Sequence, residues 1–195
     1  GRRCNFDYTA HIEHIIRCWC QRYEQLQHID MDRVALSIVK CRAGSRRGAL
    51  AEMTSLKYPG GRAPEGEAKW VWRIPSLVKD DREALYLLKI YLPRFHDVCV
   101  ADKVAILLHE LRRIHPRCNG QIREPIRRPA TVGLREDALR TPLESVDREI
   151  QGRYCPVYDL FLDCSFDTLL KRFGNVYGNR YLFRVCGANM AITVA

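Results

Sequence analysis

Residues 101 to 118 read ADKVAILLHELRRIHPRC, and this stretch decides the fold. Val104, Leu107, Leu108, Leu111 and Ile114 recur at three- and four-residue intervals, which puts them in one apolar stripe on a helix of about residues 101–114. Pro116 has no amide hydrogen and disfavours helical backbone in the residue before it, so the helix should stop near Ile114. His109 and Glu110 sit beside the stripe. In a His-Glu-x-x-His helix the two histidines, four apart, face the same way and bind zinc, while the glutamate polarises a zinc-bound water as general base. Here the position four after His109 is Arg113. A guanidinium has no lone pair to offer a metal, and its charge repels one.

Working outward, Ile12, Ile15, Ile16, Trp19, Tyr23 and Leu26 predict an amphipathic helix over 9–27. Val34–Cys41 is β-branched and alternates loosely, Leu50–Tyr58 alternates, and Lys69–Ile74 and Leu85–Leu92 supply two further runs; all four predict strands. Residues 59–68 form a Gly/Pro-rich loop. Beyond Pro116 the pattern weakens into a long Arg- and Pro-rich connection with one helix near 143–151. Asp159–Phe173 then reads as a helix with Gly174 as its cap, and Arg180–Cys186 as a final strand. The order of elements predicts an α+β fold with a mainly antiparallel sheet of three to four strands packed on helices.

The chain has 195 residues and is 47% hydrophobic, enough to bury a core without covalent staples. It holds no apolar run of membrane-spanning length. Its nine cysteines are odd in number, follow no signal-peptide pattern and include no pair of Cys-x-x-Cys knuckles. Reduced thiols in a cytoplasmic protein are therefore the expectation, with most of them acting as small core hydrophobes. Net charge is +9. Residues 112–153 carry ten arginines and no lysine against six acids, a bias that suits bidentate contacts to phosphate or carboxylate. Arg112, Arg117, Arg123, Arg127 and Arg128 are the candidate anion-binding residues, although a GC-rich genome would produce the same bias.

The stretches HIDMDRVALSIVKCR, GALAEMTSLKYPGG, LYLLKIYLPRF, VADKVAILLHEL, IHPRCNGQIRE and FDTLLKRFGNVYGNR occur in that order over most of residues 6–125 and 159–181. In them the chain resembles a metallopeptidase family of bacteria and phages, zincin-like and similar in layout to SprT-type proteases. The resemblance implies a zincin-like domain over 1–125, with 126–195 supplying the connection and a C-terminal helix and strand packed on the same domain. It implies zinc as cofactor and a peptide or protein as substrate. Transferred position by position, His109 is the first ligand and Glu110 the base. The second ligand falls on Arg113 and the third on Pro125, neither of which binds zinc. His115, Cys118 and Glu124 are the nearest substitutes, yet His115 lies six residues from His109, about 240° around a straight helix. The alternative is that His109 and Glu110 persist as a buried pair, with Arg113 now paired to Glu110.

Three functional readings follow. The first is a family member that has lost hydrolysis and acts as a binding or scaffold module. The second is an active zinc endopeptidase with a rebuilt site, and the third is an arginine-mediated nucleic-acid binder. No membrane partner is expected. Lesser candidates are His11 and His14, three apart on the first helix and able to share a metal with a partner. Trp70, Trp72, Tyr86 and Tyr91, near Lys69, Arg73 and Lys89, suggest a strand-based nucleic-acid platform, though such aromatics more often fill cores.

Overall fold

A computed structural model describes residues 5–42, 48–58, 74, 76–123, 164–186 and 189–194. Strand β1 (Asn5–Asp7) runs straight into helix α1 (Tyr8–Arg22). The Asp7 carboxylate takes the Ala10 amide, one of the unpaired donors of the helix start, and the Thr9 hydroxyl. The helix ends earlier than its apolar pattern predicts. Tyr23 turns extended, and a single 3-10 turn (Glu24–Leu26) carries Leu26 into the core instead. Apolar spacing alone does not separate these two ways of burying a side chain.

Strands β2 (Val34–Lys40) and β3 (Ala51–Ser55) are followed by a small hairpin of β4 (Val78–Lys79) and β5 (Arg82–Glu83), and then by β6 (Tyr86–Leu92). The central sheet has the order β2-β6-β3. It is mixed rather than mainly antiparallel. β6 lies parallel to β2, with Val34 opposite Tyr86, and antiparallel to β3, with Met53 opposite Leu88. β6 occupies the middle because it is apolar on both faces: Tyr86, Leu87, Leu88 and Ile90 are all fully buried. The predicted strand at Lys69–Ile74 lies outside the described residues except for Ile74, which is in no strand.

Helix α2 (Val100–Arg112) follows, and all five residues of the predicted stripe are buried. It packs on β3, while α1 packs on β2. Trp19, Ile12, Ile15 and Ile16 of α1 share one core with Leu88, Ile90, Leu107 and Leu111. Each such side chain contributes about 1.5–3 kcal/mol by leaving water.

Helix α3 (Phe166–Phe173) starts after Ser165, whose hydroxyl accepts the Thr168 amide; of the predicted helix over 159–173, residues 159–163 lie outside the described residues. Gly174, at φ 74°, closes it through a bond from its amide to the Leu170 carbonyl. Strand β7 (Asn175–Tyr177) then pairs in parallel with β1, and Leu169 enters the same core. Strands β8 (Tyr181–Cys186) and β9 (Asn189–Val194) form an antiparallel hairpin. The Ile38 amide donates to Asn179 and the Tyr181 amide to the Ser37 hydroxyl, so this C-terminal part is tied to β2. The helix expected near 143–151 lies outside the described residues. The fold is α+β. Among the described residues no helix is long and apolar enough to cross a membrane, and Cys18, Cys20, Cys41, Cys99, Cys118 and Cys164 are free thiols.

Candidate functional site

His109 and Glu110 occupy the last turn of α2, with Glu110 turned inward and His109 half-buried. The helix projects Glu110 onto the open side of β3, an edge strand of the sheet. There Glu110 Oε2 accepts the Met53 amide at 2.7 Å, an amide that β6 leaves unpaired. An edge-strand amide buried without a partner would cost stability, and the carboxylate removes that cost.

The same oxygen accepts Arg113 Nη1 at 2.8 Å. Arg113 is the C-cap of α2 and keeps helical backbone, so its side chain follows the i, i+3 direction back onto Glu110. Glu110 therefore holds two donors at one oxygen, one a backbone amide and one a cation. Arg113 Nε is buried and meets no acceptor among the described residues. Burial lowers the His109 pKa. The nearby Glu110 carboxylate opposes that shift, and Arg113 and Arg112 reinforce it. Burial also lowers the pKa of Arg112, with the charge on Arg123 adding to the effect.

Beyond the helix the chain folds back on itself. The Ile114–Ile122 bridge and the bond from the Arg123 amide to the Arg113 carbonyl close a loop over 115–121. Tyr86 anchors it, its hydroxyl donating to the Gln121 carbonyl and accepting the Gly120 amide. Within the loop His115 Nδ1 accepts the Arg117 amide and Cys118 Sγ accepts the Asp30 amide. Burial raises the Cys118 thiol above its ordinary range. Glu124, Pro125, Arg127 and Arg128 lie outside the described residues, as do Lys69, Trp70, Trp72 and Arg73. Of the suggested aromatic platform, Tyr86 is core and Tyr91 donates its hydroxyl to Glu52.

The described residues do not fit a zinc ion held by His109 in the ordinary way. The guanidinium of Arg113 stands where the second imidazole would, and it is bonded to the carboxylate that would act as base. Among the described residues no three His, Cys, Asp or Glu side chains gather closely enough to hold a metal ion.

The other histidine pair separates. His11 packs at a tilt against Phe6 with ring centroids 5.1 Å apart, whereas His14 is exposed and lies beside Cys18. A further polar cluster was not visible in the sequence. His96 is completely buried, with Nδ1 at 3.2 Å from the Tyr8 hydroxyl and Nε2 at 3.6 Å from Cys164 Sγ. Its members come from α1, the turn after β6 and the residue before Ser165, so no local spacing links them. Comparison of the chain with protein-family models, with curated proteins and with solved structures finds no match in any of the three.

Proposed function

We propose that this chain is a zinc-metallopeptidase-like protein of zincin-like fold that has lost ordinary peptide hydrolysis and serves as a binding or scaffold module. The observation that supports this reading is the double engagement of Glu110. In a hydrolytic site that carboxylate must accept a proton from water. Here its Oε2 caps the open edge of β3 and neutralises Arg113. The glutamate of the motif has a structural task, and the arginine fits that task as a second histidine would not.

Metal analysis of the purified protein, paired with a peptidase assay, tests the proposal. The expected result is no stoichiometric zinc dependent on His109 and no cleavage of unstructured peptides. Near-stoichiometric zinc that disappears in His109→Ala would instead support the active endopeptidase, with His115, Cys118 or Glu124 completing the site. Arg113→His combined with Pro125→His probes the register: gain of zinc supports the resemblance.

A second reading draws on the nearness of Arg112 and Arg123, whose charge adds to burial in lowering the Arg112 pKa. Guanidinium groups held close together are suited to a shared phosphate. On this reading the protein binds nucleic acid through Arg112, Arg117 and Arg123, together with Arg127 and Arg128. Binding to mixed-sequence DNA or RNA should then fall steeply with added salt. Absence of binding at low ionic strength removes it.

A further inference from the structure

We infer that His14 and Cys18 form a bidentate site for a zinc-class divalent cation on the exposed face of α1. The two residues are four apart on a regular helix, and both are exposed. His14 Nε2 lies 3.8 Å from Cys18 Sγ. That separation is long for a hydrogen bond and close to a chelate bite. Zinc–sulfur and zinc–nitrogen bonds of about 2.3 and 2.0–2.1 Å at a tetrahedral angle place the two donors about 3.5–3.6 Å apart. A rotation of either side chain within its rotamer well closes the difference.

The surroundings leave the pair accessible. Arg17, on the intervening turn, is drawn away by two bonds to Glu13 and one to Asp32. Cys20 points to the opposite side of the helix, where burial pushes its thiol up to about 12 and makes it a poor ligand. Cys118 is raised in the same way, and the Cys41 thiol donates to the Leu92 carbonyl. Cys164 also has an imidazole beside it, His96 Nε2 at 3.6 Å, but that ring is fully buried and the thiol is half-buried, whereas His14 and Cys18 are both exposed.

Binding replaces the Cys18 S–H proton with a metal–sulfur bond and releases that proton to solvent. His14 coordinates through Nε2 and keeps its proton on Nδ1. The pair fills two of the four positions of a tetrahedral ion, and water or a donor from another molecule fills the rest. This site is separate from α2 and independent of the proposed function.

Cobalt(II) titration of the reduced full chain, followed by zinc competition, tests the inference. One equivalent of cobalt should produce a thiolate-to-metal charge-transfer band, with one proton released per ion, and zinc should abolish the band. Cys18→Ser should remove the band, and His14→Ala should weaken binding about tenfold or more. Both positions are exposed, so each variant should melt like the parent in the absence of metal. A band unchanged in either variant, or no band in the parent at millimolar cobalt, overturns the inference.

Discussion

His96 offers the sharpest physical test of this structure. Its ring is wholly enclosed, and burial drives its pKa from the ordinary 6.5 down to about 3, with the positive charge of nearby Lys103 as the second cause. Tyr8 and Cys164 occupy its two ring nitrogens, and neither can compensate a new positive charge. The folded state thus resists protonation while the unfolded chain does not. Stability from this group is fully present above pH 6.5 and is lost as pH falls from there towards the folded-state value. At pH 5 the folded imidazole is still neutral, whereas most unfolded molecules carry the proton. The loss between pH 7 and pH 5 therefore comes to about 2 kcal/mol, set mainly by the unfolded chain's ordinary value. Urea unfolding at both pH values, for the parent and for His96→Gln, isolates the contribution from that of the carboxylates. The variant should be less stable at pH 7 but should lose about 2 kcal/mol less on acidification. Equal losses in the two proteins, or an imidazole titrating near 6.5 by NMR in the folded parent, would refute the reasoning.

Other predictions concern single positions. A double-mutant cycle of Glu110→Gln and Arg113→Met, read by urea unfolding, should give a coupling of about 1–3 kcal/mol, and simple additivity would contradict the pairing. Gly120 sits at φ +88°, and a Cβ there would stand 2.6 Å from Lys57 Cγ; Gly120→Ala should therefore destabilise by more than about 1 kcal/mol in thermal melts. Ser165→Ala should cost about 1 kcal/mol by removing the cap of α3, and Ser165→Gly only a few tenths.

Much of the framework was legible in the sequence. The stripe of α2, the strands at 34–40, 51–55 and 86–92 and the glycine at 174 each carry a local signature, because burial on one face or a positive φ restricts the residue types tolerated. Strand direction was not legible. Parallel pairing of β2 with β6 depends on how the intervening chain crosses over, and alternation of apolar residues is indifferent to that. The β4–β5 hairpin was missed because its turn places Asp80 and Asp81 at φ 48° and 63°, conformations usually signalled by Asn-Gly or Asp-Gly. Strands of three residues, such as β1 and β7, are too short for any periodicity to show. At the candidate site, spacing gave the relation of Arg113 to Glu110. The Met53 amide could not be read, since it reaches Glu110 only once the sheet edge is built. His14 was paired with His11 three residues before it, while its actual neighbour is Cys18 one full turn later.

The placing of β6 between two strands made earlier has a consequence for the nascent chain. β2 and β3 share no ladder with each other, so neither finds its sheet partner until residues 86–92 leave the ribosome. During that interval two apolar segments have open edges on both sides, the condition in which intermolecular strand pairing competes with folding. Slowing synthesis once residues 86–92 have emerged from the ribosome should raise soluble yield, and slowing it while β2 and β3 are outside but β6 is still in the exit tunnel should lower it.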